Sequence, residues 1–506
     1  MIGLLLPPSV GGALTNYALM LMGRVPVNLN YTSSNEVIAS CAKQCGIDVV
    51  ITAKAFLERF PNMTIPGRTL LLEDALAKPR VSEKLVAFAL AWLMPAALLK
   101  RALGAHCVKP GAPCLVQTRN LAKNVSATDS KPSPMDQLAT VIFSSGSTGD
   151  PKGVMLTHFN IMANISQVSQ VFALDGRDKV LGILPFFHSF GFTAGLWLPA
   201  VQGVGVVFHA NPLDAQVVGE LVAKYKVTFL IATPTFLQGY MRRCRPESFG
   251  SLQYVLVGAE KLPERVALAF EDHFGIRPLE GYGCTECSPV VTVNGKDFRG
   301  PGFRQVAAKR GRIGHPLPGV SVKVVDIDSG QPVTPGTSGM LLVKGPNVML
   351  GYLGKPEKTA EVLHGGWYTT GDIATMEEDG FLTITDRLSR FSKIGGEMVP
   401  HIRIEEKLHE LAETTEQVFA VTALPDPKKG ERIVVLHTLP ETKLAEVLEK
   451  FAACDLPVLW KPKPNQFFHI DAIPVLGTGK MDLRGIKSQA ASLATEPEPA
   501  AATRAN

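Results

Sequence analysis

Ser144-Ser145-Gly146-Ser147-Thr148-Gly149-Asp150-Pro151-Lys152-Gly153 follows the β-branched and apolar stretch Ala139-Thr140-Val141-Ile142-Phe143. A strand, a loop of hydroxyls and glycines, and then one lysine form a phosphate-handling layout. Glycines let backbone N–H groups turn inward around an anion. Ser and Thr hydroxyls add donors, and Lys152 adds a point charge. Most Ser/Gly loops are solvated surface, but the strand before this one and the ordered Pro-Lys-Gly after it favour a phosphate cradle. The run contains no G-x-x-x-x-G-K-[ST], so a Walker A nucleotide loop is not what it predicts.

Around this loop the chain is 506 residues long, 46% apolar and 19% charged, with a net charge of +5. That length suggests about two to four domains. No dense Lys/Arg stripe with interleaved aromatics stands out, so nucleic acid is not an expected partner. Eight scattered cysteines read as reduced thiols of a cytoplasmic protein rather than a disulfide framework. The C-x-x-C at Cys284 and Cys287 has no second pair at zinc spacing. The N-terminus has no basic n-region and meets proline too early for a signal peptide. The apolar run Leu85 to Leu99 is interrupted by Pro95 and falls short of the roughly 20 residues of a spanning helix. It reads either as a buried or lid helix or as an interfacial helix in peripheral contact with a membrane.

The first third alternates strands (Gly3 to Pro7, Val25 to Leu29, Asp48 to Thr52) with a helix at Asn35 to Cys45, a βαβ pattern that implies a parallel sheet. The pattern resumes with strands at Val180 to Leu184, Gly205 to His209, Val227 to Ile231 and Tyr254 to Val257, and a helix at Asp214 to Tyr225. From about 311 to 385, short alternating runs between Gly, Pro and Asp turns read as a small antiparallel barrel or sheet. After Asp386-Arg387 comes an α+β segment with helices near Ile404 to Glu413 and Thr442 to Phe451. The expected fold is therefore α/β: a large N-terminal domain of parallel α/β layers (1–385) with a small β-barrel-like subdomain, then a small mobile α+β C-terminal domain (386–491). A disordered Ala/Pro/Glu-rich tail (492–506) follows.

Further clusters follow in order. Gly281-Tyr282-Gly283-Cys284-Thr285-Glu286 puts one carboxylate on a tight loop, as a Mg²⁺ site beside phosphates requires. Gly366-Trp367-Tyr368-Thr369-Thr370-Gly371-Asp372 is next. Asp386-Arg387-Leu388-Ser389-Arg390 precedes Lys393-Ile394-Gly395-Gly396-Glu397, and Gly477-Thr478-Gly479-Lys480 comes last. Each alone could be turn chemistry. In this order and spacing, over nearly the whole chain, the five resemble the adenylate-forming superfamily of acyl-CoA synthetases, luciferases and peptide adenylation domains. Pro185-Phe-Phe-His188-Ser-Phe-Gly191, Gly258-Ala-Glu-Lys-Leu262, Glu280 to Val291 and Arg390 to Val399 narrow the likeness. Together they look like the synthetase half of the bifunctional acyl-[acyl-carrier-protein] synthetase / 2-acylglycerophosphoethanolamine acyltransferases.

That resemblance implies a ligase that uses Mg·ATP to turn a fatty acid into acyl-AMP. It then forms a thioester on acyl carrier protein or CoA, at the inner face of the membrane, for phospholipid acylation. It implies that Ser144, Ser145, Gly146, Ser147, Thr148, Gly149 and Lys152 hold the β- and γ-phosphates, that Thr285 contacts phosphate and that Glu286 holds Mg²⁺. Gly258, Ala259, Glu260, Tyr282 and Gly283 would line the adenine slot, Asp372 and Arg387 would bind the ribose, and Lys480 would bridge the carboxylate and the α-phosphate. His188 and Phe187 would wall the acyl tunnel, Gly395, Gly396 and Glu397 would face the pantetheine arm, and the domain would swing about Ser389. Phe186, Phe190, Phe192, Trp197 and Phe236 would suit an alkyl chain. Against the family, this chain begins on what reads as an internal strand.

Three other readings compete. One is a long-chain fatty acid–CoA ligase, where only the acceptor differs. One is a degenerate nucleotide-binding paralogue, which five intact motifs argue against. One is a stand-alone glycerolipid acyltransferase, since His209 and Asp214 fit H-x-x-x-x-D, a spacing with a high chance-match rate.

Overall fold

The computed structural model describes residues 1–75, 80–95, 98, 134–144, 151–394, 397–426, 429–475 and 481–495. Ser145, Gly146, Ser147, Thr148, Gly149, Gly395, Gly396 and Lys480 lie outside the described residues, as does the side chain of Ser389.

Strands Ile2–Leu4, Pro26–Asn28, Val49–Thr52 and Arg68–Leu71 form a four-stranded parallel sheet. Parallel neighbours need crossovers, and helices Val10–Leu21 and Asn35–Gln44 supply them. Ser9 starts the first, its hydroxyl accepting from Gly12 N–H at 3.1 Å.

Strand Leu138–Ser144 stands apart from this sheet. It forms an antiparallel hairpin with Lys152–Thr157, with Ser144 opposite Lys152. Thr157 then caps helix His158–Phe172, exchanging hydrogen bonds with Asn160. The central sheet has seven strands. Lys179–Gly182, Gly205–Phe208, Phe229–Ala232, Tyr254–Val257 and Leu279–Gly283 run parallel, and Val290–Val293 and His315–Pro316 close one edge antiparallel. Runs such as Phe229-Leu-Ile-Ala232 are apolar throughout because helices cover both faces of such a sheet.

An antiparallel five-stranded sheet follows, made of Ser321–Val325, Gly339–Lys344, Leu363–His364, Trp367–Met376 and Leu382–Arg387. The last segment builds another sheet from Phe391–Ile394, Glu397–Pro400, Phe419–Asp426, Gly430–His437 and Phe467–His469. Phe419, Val421, Ile433 and Val435 face one apolar cluster, and Ala420, Leu424, Val434 and Leu436 face another. The period of two along each strand sends alternate side chains to opposite faces, so helices are needed on both. Leu408 and Val447 come from helices on one side, and Ile486 and Ala490 from a helix on the other.

Two expectations change. Helix Val81–Trp92 is not buried: Leu85, Val86 and Phe88 are exposed and Trp92 is 77% exposed. Among the described residues no helix is long and apolar enough to cross a membrane. The last helix, Leu483–Thr495, runs into the stretch expected to be disordered, because Ala490, Ala491, Leu493 and Ala494 are strong helix formers.

Candidate active site

Several of the residues expected from sequence lie where the parallel strands of the central sheet end. Strand Tyr254–Val257 delivers Gly258, Ala259 and Glu260, and the neighbouring Leu279–Gly283 delivers Tyr282 and Gly283. The crevice beyond the carboxyl ends of parallel strands is where open α/β sheets bind ligands. Ala259 holds a left-handed φ of 73°, a conformation that a non-glycine residue adopts at a cost. At Gly283 a Cβ would lie 2.2 Å from the Pro289 carbonyl oxygen, so only glycine lets the chain turn into the Thr285–Cys287 helical turn. Glu260 accepts from the Thr235 hydroxyl at 3.2 Å.

Asp372 and Arg387 come from directly paired strands. Arg387 Nε meets Asp372 Oδ1 at 2.9 Å, while Tyr282 donates its hydroxyl to Asp372 Oδ2 at 2.5 Å. Burial, and then the Asp372 carboxylate, push the Tyr282 phenol well above its ordinary range, so it stays a donor. Asp372 is buried, yet the Arg387 side chain is 56% exposed. Adenine-side and ribose-side candidates thus share one hydrogen-bonded cluster.

Thr285 and Glu286 occupy the helical turn. The Thr285 hydroxyl lies 3.3 Å from that of Ser189. Glu286 is 8% exposed, and its Oε1 accepts from the Tyr352 hydroxyl at 2.9 Å. Tyr352 also packs under Lys152, whose Nζ stands 5.2 Å from the ring centroid. The hairpin that carries Ser144 and Lys152 and the Glu286 turn therefore meet at Tyr352, which no sequence motif marked. Among the described residues no group of three or more His, Cys, Asp or Glu could hold a metal ion. One carboxylate suits Mg²⁺ arriving with phosphate oxygens and water rather than a resident metal cage. The Cys287 contact, followed by burial, pushes the Cys284 thiol well up, away from the thiolate that redox or metal chemistry uses.

His188 accepts from Phe190 N–H at Nδ1, 3.3 Å away. Phe187 packs edge-on to Tyr31 at 4.9 Å. Phe186, Phe190, Phe192 and Phe236 belong to the main core, with Trp197 against it, so packing alone accounts for them. Glu397 is exposed and accepts from Trp460 Nε1 at 3.1 Å. His209 and Asp214 do pair, at 3.1 Å. Asn211 donates to the same carboxylate at 2.7 Å, so the pair fixes an exposed loop before helix Ala215–Tyr225.

Beside Ser389 lies a buried network. Arg390 Nη2 meets Glu405 Oε1 at 2.5 Å, and Val421 N–H donates to the same oxygen at 2.7 Å. Asp386 accepts from Ile402 N–H at 3.1 Å, capping helix His401–Leu411. Burial lifts its carboxyl to about 6.

Residues 1–353 match the AMP-binding enzyme family. The chain belongs to that family. This AMP-binding protein is 33% identical over 364 residues to a long-chain-fatty-acid–CoA ligase of Bacillus subtilis, a match covering 70% of this chain and 62% of that protein. It is also 33% identical over 354 residues to a feruloyl-CoA synthase of an Amycolatopsis species, covering 69% of each. Among solved structures, ATP-bound MatB from Rhodopseudomonas palustris superposes with a TM-score of 0.74 at 22% identity, covering 96% of this chain and 88% of that one. The O-succinylbenzoate coenzyme A synthetase of B. subtilis, in complex with ATP and magnesium ion, gives 0.70 at 21% identity, covering 96% and 89%. At these identities the structural likeness establishes the adenylate-forming fold.

Proposed function

We propose that this AMP-binding protein joins a fatty acid to a thiol in two steps. A carboxylate oxygen attacks the α-phosphorus of Mg·ATP; the acyl–AMP mixed anhydride forms and pyrophosphate leaves. A thiol sulfur then attacks the acyl carbon, giving up its proton, and AMP leaves. The observation that carries this reading is the Tyr282–Asp372–Arg387 cluster beside the Glu286 turn and the Ser144/Lys152 hairpin. It supplies ribose acceptors and donors at one end and phosphate-directed charge at the other.

In this reading Asp372 and Arg387 take the ribose hydroxyls, and Gly258, Ala259, Glu260, Tyr282 and Gly283 border the base. Ser144, Ser145, Gly146, Ser147, Thr148, Gly149 and Lys152 cradle the phosphates, with Thr285 beside them. Glu286 would hold the Mg²⁺, whose chemistry is to offset phosphate charge as it develops on the leaving group. Lys480 brings positive charge to the crowded anionic centre where carboxylate and α-phosphate meet. His188 and Phe187 border the acyl side, and Gly395, Gly396 and Glu397 the thiol side.

CoA is the acceptor better supported, because the relatives above are CoA ligases and synthases. The fatty acid is favoured by the ligases named for it. Peripheral membrane contact belongs to the same proposal. The exposed Leu85, Val86, Phe88 and Trp92, with Arg80 and Lys84 at the start of their helix, suit an interfacial position.

Palmitate-dependent exchange of pyrophosphate into ATP, followed by thioester formation on CoA, is the expected result. Absence of exchange with every carboxylic acid tried, fatty or aromatic, would sink the enzyme reading. Exchange with ferulate alone would reassign the substrate, and thioester on carrier protein but not on CoA would reassign the acceptor and restore the phospholipid role.

A further inference from the structure

Residues 346–353 form a short strut between the two arms of the candidate phosphate site. At one end Met349 N–H donates to the Glu286 carbonyl oxygen at 2.7 Å. At the other, Gly351 and Tyr352 pair antiparallel with Met155 and Val154 of the Ser144/Lys152 hairpin. Leu350 N–H donates to Met155 O at 3.0 Å, and Leu353 N–H to Gly153 O at 2.8 Å. The strut is itself fixed. Tyr352 N–H donates to the Thr359 hydroxyl at 2.9 Å, and Asn160 Nδ2 donates to the carbonyls of Pro346 and Val348 at 2.8 Å each. Asn347 Nδ2 donates to Cys287 O at 2.9 Å, and Ser288 Oγ to Asn347 O at 2.7 Å, which stitches the strut to the Glu286 turn a second time.

From this braced backbone the Tyr352 side chain reaches both functional groups. Its hydroxyl holds Glu286 Oε1, and its ring face lies under the Lys152 ammonium. A buried carboxylate without a donor is costly and free to swing. One fixed by a phenol presents its other oxygen in a set direction. The ring meanwhile limits where Lys152 can go.

We propose that Tyr352 is a positioning residue that sets the Glu286 carboxylate and the Lys152 ammonium in register, so that the Mg²⁺ and the lysine meet the same triphosphate. This rests on the reading of Glu286 as the Mg²⁺-holding group. Partners that orient metal-binding carboxylates commonly matter about 10- to 100-fold in metal affinity.

The test uses the full chain and calorimetric binding of ATP at increasing Mg²⁺, with AMP binding as the metal-independent control. Tyr352→Phe keeps the ring and removes only the hydroxyl. It is expected to raise the Mg²⁺ concentration needed for tight ATP binding about tenfold while leaving AMP affinity within about twofold. Glu286→Gln should raise it at least as much, and adding Tyr352→Phe to Glu286→Gln should raise it little further, because the two act as a unit. An unchanged Mg²⁺ requirement in Tyr352→Phe, with Glu286→Gln impaired, overturns the positioning role alone. An unchanged requirement in Glu286→Gln overturns the metal reading beneath it. Equal loss of AMP affinity in Tyr352→Phe would mark the residue as merely structural and likewise overturn the proposal. If Tyr352→Phe folds poorly by circular dichroism, 4-aminophenylalanine in place of Tyr352, which keeps the ring and its reach and donates through the amine, must retain the Mg²⁺ requirement of the unaltered protein or the proposal fails.

Discussion

Glu280 offers the sharpest test of the electrostatics behind the proposed adenine slot. It lies on strand Leu279–Gly283, and its Oε1 accepts from Leu262 N–H at 3.1 Å. Burial raises its carboxyl from 4.5 to about 7; the Leu262 N–H and Lys261 act against that rise, and Glu406 adds to it. The folded protein therefore holds a proton on Glu280 that the unfolded chain releases near pH 4.5. Between those two values the native state binds more protons, so its stability falls as pH rises. A gap of about 2.5 units corresponds to about 3 kcal/mol, missing at pH 8 and present below pH 4.5. Glu280→Gln keeps an acceptor for Leu262 N–H and carries no charge. It should be more stable than the unaltered protein at pH 8 by up to about 3 kcal/mol, and the gap should close as pH falls toward 5. Denaturant melts of both proteins at pH 5, 6, 7 and 8 measure this difference. Taking the difference cancels other titrating groups, such as Asp386 at about 6. A variant no more stable than its parent at pH 8, or a gap independent of pH, would refute the reasoning.

Other outcomes follow from the same geometry. Asp372→Asn removes the charge that Tyr282 and Arg387 share, and charge-assisted hydrogen bonds are worth about 1.5–3 kcal/mol; calorimetry should show ATP and AMP affinity falling together, about 10- to 100-fold. Lys480→Ala should slow acyl-AMP formation while sparing thioester formation from preformed acyl-AMP, and equal loss in both half-reactions would count against domain alternation. Arg390→Met strands the Glu405 carboxylate in the interior at a cost of about 3–5 kcal/mol; Arg390→Met with Glu405→Gln should regain most of it in denaturant melts, which checks that the pair, and not Arg390 packing, is responsible. Replacing Phe88 and Trp92 by Ser should abolish cosedimentation with vesicles of anionic phospholipid without altering ATP affinity, and retention on the vesicles would remove that helix from any membrane role.

Much of the architecture was legible because local chemistry and global fold agree. The apolar run Tyr254–Val257 and the periodic helix Ala215–Tyr225 announce themselves through burial on known faces. The candidate site was legible for a different reason: motifs cluster residues that nucleotide chemistry needs close in sequence. Where two parts meet only after folding, the pattern is silent. The pairing of Asp372 with Arg387 depends on strand register, and that of Tyr352 with Glu286 on a contact across 66 positions. Tyr352 reads as one more strand aromatic, so nothing local could have singled it out. The apolar helix Val81–Trp92 fails in the opposite sense. Its composition reads as core, but apolar composition does not say which element, if any, will cover it.

The contacts between the large N-terminal and small C-terminal units bear on how one chain would serve the two proposed half-reactions. The C-terminal sheet has its own apolar clusters, so its cohesion does not depend on its neighbour. Between the domains, Lys261 meets Glu406 at 2.6 Å, Arg242 meets Glu416 at 3.1 Å, and Gln238 Nε2 donates to the Thr415 carbonyl. The first two are partly solvated ion pairs, each worth about 0–1 kcal/mol, and the third is a single amide–carbonyl hydrogen bond, whereas stripping one partner from the buried Arg390–Glu405 pair costs about 3–5 kcal/mol. Those three contacts cost less to break than that one buried pair costs to split. The soft boundary falls beside the Gly258–Leu262 loop and the firm one inside the folded unit. A domain that delivered Lys480 for adenylation and the 395–397 loop for thiol capture, as proposed, would need that order of strengths, because the move would have to be cheap and the body that moves would have to stay whole.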